Sequence, residues 1–307
     1  MKSLRGRDLL SLADLNSDEV YGVLDLAAKM KAGAINLQCP QKVLGLVFQK
    51  ASTRTRVSFS VAMYQLGGQV LDLNANVTQV SRGEPTTDTA RVLDRYLDIV
   101  AIRTFDQQEI EEFARYAEIP VINALTDLEH PCQILADLLT IQEEFGGLTD
   151  LTLTYLGDGN NVVHSLLLGC ALVGLNIKVA VPSGYEPNLA IVDKAKQLAG
   201  DRSQVVVTPD PQCAVKDAQI LYTDVWASMG QEASADDRIP LFQSYQINQS
   251  LVSMASKEAI VLHCLPAHRE EEITNEVIEG PQSRVWDQAE NRLHTQKALL
   301  ASLLGVA

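Results

Sequence analysis

The 307-residue sequence has no apolar run that approaches the roughly 20 residues needed to span a membrane. Its Leu-rich start also lacks the uninterrupted apolar core of a signal peptide, since Asp8 and Asp14 break it. We therefore expect a cytoplasmic protein with no membrane partner.

Cysteine pairs in C-x-x-C spacing are also missing. The five cysteines are odd in number and widely scattered, which argues against a disulfide framework and against a zinc site. They are Cys39, Cys132, Cys170, Cys213 and Cys264. The sequence thus predicts reduced thiols and no bound metal.

Positive charge is scarce. Against 39 acidic residues stand 25 Lys and Arg, giving a net charge of −14 that disfavours nucleic acid and anionic membranes as partners. Lys50, Arg54, Arg56 and Arg103 stand out from this background. If they converge, they form a small positive pocket suited to a small anion.

The glycine fingerprint of dinucleotide-binding proteins is incomplete. Gly157-Asp158-Gly159-Asn160-Asn161 is followed by Val162 where G-x-G-x-x-G requires glycine. This disfavours a nicotinamide-dependent dehydrogenase.

Strand and helix patterns alternate through the chain in two rounds, and 46% hydrophobic content is enough for two cores. We predict an α/β fold of two domains, each with a mainly parallel sheet flanked by helices, joined by interdomain helices. The predicted divisions are residues 1–146, residues 147–286, and a C-terminal helix over 287–307 that packs back on the first domain. Residues 3–31 are predicted to be helical.

The stretch FQKASTRTRVSF, residues 48–59, predicts an anion site. An apolar strand over 43–48 leads to Ser52, a good N-cap for a helix over 53–66. Unpaired N–H groups and the helix dipole favour an anion there, and Ser52, Thr53, Arg54 and Thr55 add donors. Arg56 points elsewhere, to a carboxylate or to structure. The alternative is an ordinary capped helix with a solvated basic face.

Polar residues also follow several predicted strands. Arg103 ends an apolar strand, where ligands bind in open α/β sheets. His130 precedes Pro131 and is either functional or a polar turn residue. The polar loop 74–85, with Gln79, Arg82 and Glu84, is either a ligand-closing segment or a mobile surface loop.

Two more such residues lie in the second half. Asp224 is placed to hold an amine, and Cys264 is either a reactive thiol or an ordinary small buried hydrophobe.

Six motifs in order along the chain resemble the ornithine carbamoyltransferases of the aspartate/ornithine carbamoyltransferase family. They are STRTR at 52–56, HPCQ at 130–133, GDGNNV at 157–162, DVWASMGQE at 224–232, HCLPAHR at 263–269 and DQAENRLHTQKALL at 287–300. The resemblance covers essentially the whole chain. STRTR and HPCQ alone indicate only a carbamoyltransferase, whereas SMG and HCLP point to ornithine.

The resemblance implies a carbamoyl-phosphate-binding first domain, an ornithine-binding second domain and specific site residues. Carbamoyl phosphate would contact Ser52, Thr53, Arg54, Thr55, Gln79, Arg103, His130, Gln133, Cys264, Leu265 and Arg292. Ornithine would contact Asn161, Asp224, Ser228 and Met229. Arg103, His130 and Cys264 would be catalytic, the first two by donating to the carbonyl oxygen where negative charge develops.

The implied reaction transfers the carbamoyl group to the δ-amine of ornithine, giving citrulline and phosphate, in arginine biosynthesis or breakdown. The amine must first lose a proton, which costs roughly 4.6 kcal/mol at pH 7 for a pKa of ~10.4. Either Cys264 or the phosphate accepts that proton. No metal or cofactor is needed, since phosphate is a competent leaving group.

Three alternatives remain: transfer to acetylornithine, putrescine or aspartate; a non-catalytic carbamoyl-phosphate-binding module; and the dehydrogenase already disfavoured. The resemblance also implies a homotrimer.

Overall fold

The structure, a computed structural model, describes residues 3–74, 83–227 and 235–307, with only the backbone for 235–237. The predictions for Gln79, Arg82, Ser228 and Met229 fall outside these residues.

The chain divides into two compact units. Unit 1 comprises Met1–Leu139 and Asn291–Ala307, and unit 2 comprises Thr140–Glu290. The chain passes from one unit to the other within two helices, Pro131–Phe145 and Val285–Leu303. The ligand-binding roles assigned to the two halves stay predictions.

Unit 1 contains a four-stranded parallel sheet in the order β2-β1-β3-β4. The strands are β1 (Val43–Phe48), β2 (Gln69–Asn74), β3 (Ile99–Arg103) and β4 (Val121–Leu125). All residues of β3 and β4 are buried, as expected for apolar strands with both faces covered. The helices of this unit are α1 (Ser17–Lys31), α2 (Thr53–Gln65), α3 (Thr86–Leu93), α4 (Gln107–Tyr116), the first part of α5 (Pro131–Phe145) and the last part of α12 (Val285–Leu303).

The N-terminal segment corrects the prediction of helix over 3–31. Only Ser17–Lys31 is α-helical, preceded by a short 3₁₀ turn over Leu12–Asp14. The helix begins late because Asn16 and Glu19 form a capping box. Before it, Leu9 is extended, and its N–H donates to the carbonyl of Val121 at 2.9 Å.

Unit 2 contains a five-stranded parallel sheet in the order β7-β6-β5-β8-β9. The strands are β5 (Thr152–Leu156), β6 (Asn176–Ala180), β7 (Val205–Thr208), β8 (Ile220–Thr223) and β9 (Ile260–His263). The remaining helices are α6 (Asn161–Val173), α7 (Leu189–Ala199), α8 (Pro211–Val215), α9 (Ala235–Phe242), α10 (Gln249–Val252) and α11 (Asn275–Ile278). The predicted fold class is confirmed.

Each sheet has a point where the chain reverses its direction of winding. In unit 1 the chain winds from β1 outward to β2 and then returns to β3 on the other side of β1. In unit 2 the same reversal lies between β5 and β8. Loops leaving such neighbouring strands diverge and open a crevice at their carboxyl ends, where ligands bind in open α/β sheets.

Within the described ranges, no helix combines the length and the apolar character needed to cross a membrane.

Candidate functional site

The start of α2 lies directly after β1, at the reversal point of unit 1. Ser52 occupies the predicted N-cap position with an extended backbone, although its hydroxyl makes no capping hydrogen bond. Instead, Nη1 of Arg103 donates to Oγ of Ser52 at 3.5 Å. Thr53 and Arg54 are exposed and Thr55 is buried. The first turn of α2 thus presents N–H groups without a side-chain cap, beside exposed polar side chains.

Arg56 faces a different environment from Arg54. Its guanidinium pairs with the carboxylate of Asp72 on β2 and lies 5.0 Å from the ring centroid of Phe48. The prediction that Arg56 serves a nearby carboxylate is confirmed.

Three guanidinium groups gather near this helix start. We call Arg54, Arg103 and Arg292, together with His130 and Gln133, the arginine cluster. Register places Arg103, the last residue of β3, opposite Phe48, the last residue of β1.

Buried partners hold Arg292 in the arginine cluster. Its Nη1 donates to Oε1 of Gln133 at 2.6 Å, and its Nη2 donates to Oγ1 of Thr55 at 3.2 Å. Gln133 in turn donates to Asp137 at 2.8 Å. The starts of α2 and α5 and the C-terminal helix α12 thereby contribute to one hydrogen-bond network.

The positive charges of the arginine cluster repel one another, and a bound anion would reduce this repulsion. Burial, followed by the charges of Arg292 and Arg54, lowers the pKa of Arg103 to about 10. The same physics, with burial first and then Arg292 and Arg103, holds the pKa of His130 well below its usual 6.5. At neutral pH Arg103 is therefore charged and His130 is neutral. Perturbed groups gathered in this way are typical of functional sites.

The reversal point of unit 2 holds a second set of polar residues. We call Asn160, Asp224 and Cys264 the Asp224 cluster; they follow β5, β8 and β9. Nδ2 of Asn160 donates to Oδ2 of Asp224 at 2.8 Å, and the Cys264 thiol donates to Oδ1 at 2.9 Å. The carboxylate is thereby fixed between an amide and a thiol.

His263 supports the chain around Cys264. Its Nδ1 accepts the N–H of Leu265 at 2.9 Å, so Nε2 carries the proton and donates to Glu272 at 2.9 Å. Both side chains of the His263–Glu272 pair are fully buried. Leu265 has φ of 58°, a left-handed conformation that costs about 1–2 kcal/mol for an L-residue. The hydrogen bond to His263 helps to hold it.

Metal-ligand atoms of Asp224, His263 and Cys264 lie within 4.8 Å of one another. Carboxylate, imidazole and thiolate are ligands that zinc accepts. However, both ring nitrogens of His263 are already committed, one to Glu272 and one to Leu265. We therefore interpret this group as an internal hydrogen-bond network.

Of the twelve predicted site residues that the structure describes, seven belong to one of these two clusters. Ser52, Thr55, Arg103, Gln133 and Arg292 share hydrogen bonds within unit 1. Asn161 begins α6, and Leu265 follows Cys264. The roles assigned to these residues stay predictions.

Sequence reasoning missed two supporting residues. Asn160 is the N-cap of α6, where its Oδ1 accepts from Val162 and Val163, and it also holds Asp224. An Asn directly before a long apolar helix is a recognisable N-cap signal. Glu272 carries no such local signal, because only the fold brings it to His263.

Together, the fold and these residues define an α/β protein with two parallel-sheet units. One unit contains a cationic cluster, and the other contains a carboxylate hydrogen-bonded to a thiol.

Two family models match the chain in succession. The aspartate/ornithine carbamoyltransferase carbamoyl-P binding domain matches residues 7–143, and the Asp/Orn binding domain of the same family matches residues 149–303.

Individual relatives match over nearly the full length. The ornithine carbamoyltransferase of Thermosynechococcus vestitus is 71% identical, covering 99% of this chain and 98% of its own. That of Nostoc punctiforme is 68% identical, covering 99% of each chain. The crystal structure of ornithine carbamoyltransferase from Gloeobacter violaceus superposes with a TM-score of 0.91 at 59% identity, covering 98% of this chain and 100% of its own. The chain belongs to the aspartate/ornithine carbamoyltransferase family, and the resemblance seen in its motifs is confirmed.

Proposed function

We propose that the protein transfers the carbamoyl group of carbamoyl phosphate to the δ-amine of L-ornithine, giving L-citrulline and phosphate. The observation that carries the proposal is the arginine cluster, which lies at the reversal point of a unit that matches a carbamoyl-P binding domain. The high identity to proteins named ornithine carbamoyltransferase supports ornithine as the acceptor.

In this proposal the phosphate occupies the start of α2. The uncapped first-turn N–H groups and the side chains of Ser52, Thr53, Arg54 and Thr55 bind its oxygens. Gln79, Cys264 and Leu265 complete the predicted contacts to carbamoyl phosphate. Dianion binding offsets the repulsion among the three guanidinium groups.

The carbamoyl group lies against Arg103, His130 and Gln133, with Arg292 fixed beside them. As the amine attacks, negative charge develops on the carbonyl oxygen, and donors already in place stabilise it. Neutral His130 contributes one N–H, while Arg103 contributes a full positive charge.

The Asp224 cluster holds the amino-acid end of ornithine. Asp224 accepts the α-ammonium group, and Asn161, Ser228 and Met229 add the remaining predicted contacts. The hydrogen bonds from Asn160 and Cys264 orient the carboxylate before the substrate arrives.

Bond changes follow from this placement. The δ-nitrogen lone pair forms a bond to the carbonyl carbon, the bond from that carbon to the bridging oxygen breaks, and phosphate leaves. The Cys264 thiol is protonated and donates a hydrogen bond to the carboxylate of Asp224, so it has no lone proton site to offer the amine. The δ-ammonium loses its first proton to solvent before attack. We therefore assign the second proton, released from the same nitrogen as the C–N bond forms, to the departing phosphate.

Assembly as a homotrimer is also part of this proposal. Val57, Val61 and Tyr64 form an apolar stripe on one face of α2 and are 54%, 37% and 77% exposed. Leu71, on the edge strand β2, is 48% exposed. Apolar stripes of this kind mark protein interfaces, and we assign this one to further copies of the chain.

The proposed location is the cytoplasm, because none of the five cysteines, all within the described residues, forms a disulfide bond. The net charge of −14 supports the absence of nucleic acid and membrane partners. Carbamoyl phosphate is an activated mixed anhydride, so transfer runs toward citrulline, the direction that arginine biosynthesis uses.

The test is citrulline formation from carbamoyl phosphate with four acceptors compared side by side: ornithine, acetylornithine, putrescine and aspartate. We expect turnover with ornithine, and loss of that turnover in Arg54→Ala. Turnover with another amine in place of ornithine would overturn the acceptor assignment. Binding of carbamoyl phosphate without turnover on any acceptor would favour a non-catalytic binding module.

A further inference from the structure

A buried ion pair in unit 2 has no part in the chemistry described above. Nη1 of Arg238 on α9 lies 3.1 Å from Oδ2 of Asp158, and the two side chains are 11% and 8% exposed. Desolvation makes a buried ion pair a poor source of stability, since an apolar pair of similar size is often as good.

Arg238 joins three segments of unit 2. Besides pairing with Asp158 in the loop after β5, it donates to the carbonyl of Trp226 after β8 at 2.8 Å. Its guanidinium also lies 5.0 Å from the ring centroid of Tyr185. Gly159 completes this connection by donating its N–H to the carbonyl of Tyr185 at 2.9 Å.

Two of these segments carry Asn160 and Asp224 of the Asp224 cluster. Asp158 lies two residues before Asn160, and Trp226 lies two residues after Asp224. The hydrogen bond from Asn160 to Asp224 therefore connects the same two chain segments that Arg238 connects from outside. A shift of either segment would move one partner of that hydrogen bond relative to the other.

We propose that Arg238 and Asp158 are positioning residues for the acceptor amino acid, setting the relative placement of Asn160 and Asp224 and so the affinity for ornithine. This inference rests on the proposed function. Arg238 makes its contacts with Asp158, Trp226 and Tyr185, so its effect on Asp224 passes through the two loops.

A single substitution would confuse the outcome. Burial raises the pKa of Asp158, and Arg238 opposes this rise, so removing Arg238 alone leaves an unpaired buried carboxyl group. The double variant Asp158→Asn/Arg238→Met removes both charges and keeps similar volumes.

The matched control removes another arginine–carboxylate pair of unit 2. Arg284 contacts Glu144 through two hydrogen bonds of 2.8 and 2.7 Å. Glu144→Gln/Arg284→Met therefore removes a bidentate pair outside the Asp224 cluster.

For Asp158→Asn/Arg238→Met we expect the KM for ornithine to rise about tenfold or more, while the KM for carbamoyl phosphate and kcat at saturating ornithine change by less than about threefold. The control variant should keep the wild-type KM for ornithine. An unchanged KM for ornithine in the double variant would overturn the inference. The inference would also be overturned if kcat fell and the KM values for both substrates rose by the same factor, because such a result indicates general damage to the protein.

A second measurement needs no substrate. The chain has two tryptophans, Trp226 and Trp286, so Trp286→Phe leaves Trp226 as the only one. In that background we expect Asp158→Asn/Arg238→Met to shift the emission of the buried Trp226 to longer wavelength. Identical emission spectra with and without the double substitution would overturn the inference. This measurement does not depend on activity. If the wild-type protein made no citrulline, that result would contradict only the proposed function.

Discussion

Arg54 and Arg56 are two positions apart on α2 and have different surroundings. Arg56 is paired with Asp72, whereas Arg54 is exposed at the helix start and acts electrostatically on Arg103. We expect Arg54→Ala to weaken binding of inorganic phosphate by about 1.5–3 kcal/mol, roughly 10- to 150-fold, since it removes a charge-assisted contact.

Arg56→Ala is the matched control for calorimetric titration with phosphate. It removes the same charge from the same helix, yet should change the affinity by less than about threefold. Equal losses in both variants would mean that only the general positive charge of the helix matters.

His130 should make stability depend on pH. Its pKa is lowered in the folded protein, so below the usual 6.5 the unfolded chain binds more protons than the folded one. Stability therefore falls as pH decreases from 6.5 toward the folded pKa, by up to about 1.4 kcal/mol per pH unit.

His130→Asn should flatten this part of the pH profile, as measured by urea denaturation between pH 5 and pH 8. His268→Asn, at an exposed histidine, is the control substitution. A wild-type slope retained in His130→Asn would contradict the assignment.

At the residue scale, the local sequence predicted the surroundings of some side chains but not of others. Helical spacing correctly predicted that Arg56 and Arg54 point in different directions, because the angle between two side chains on a helix follows from their separation in the sequence. The Ser52 hydroxyl was expected to cap α2 but accepts from Arg103 instead, a residue 51 positions away. Competition from such a distant partner is not visible in a local pattern.

The loop between β5 and α6 is a short element with little room. A Cβ at Gly159 would overlap backbone atoms of Tyr185, Glu186 and Pro187. Backbone atoms cannot rotate away as a side chain can, so the overlap could be removed only by a shift of the loop. We expect Gly159→Ala to lower the free energy of unfolding by about 1–3 kcal/mol and to raise the KM for ornithine.

Gly147→Ala is the matched control, since a Cβ there meets nothing within 4 Å. Thermal unfolding and the KM for ornithine should be changed in Gly159→Ala and unchanged in Gly147→Ala. If Gly159→Ala retained wild-type stability and ornithine kinetics, the tight packing of this loop would not matter for the site.

At the element scale, strands with continuous apolar runs were predictable because burial on both faces leaves a strong signal. The position of β1 was predicted to the residue. The order of strands was not predictable. It depends on which crossover connections pack together, and it alone places the end of β3 beside β1 and that of β8 beside β5.

For the whole molecule, the apolar stripe on α2 predicts an assembly. We expect a mass of about three times 33.5 kDa by sedimentation equilibrium, and dissociation in Val57→Asp/Tyr64→Asp because charge in an apolar interface is costly.

Leu189→Asp provides a control at another exposed apolar residue, 75% exposed on unit 2. It should keep the wild-type mass. A wild-type mass of one chain, or an unchanged mass in the stripe variant, would contradict this interface.

Transfer of a carbamoyl group to ornithine is the central claim for the whole molecule, and a single-turnover reaction with ¹³C-carbonyl-labelled carbamoyl phosphate and L-ornithine tests it most directly. We predict that the label appears, by NMR, in the ureido carbon on the δ-nitrogen of citrulline, with one phosphate released per labelled product. Label found only in hydrolysis products with ornithine unchanged, or attached to the α-nitrogen, would contradict it.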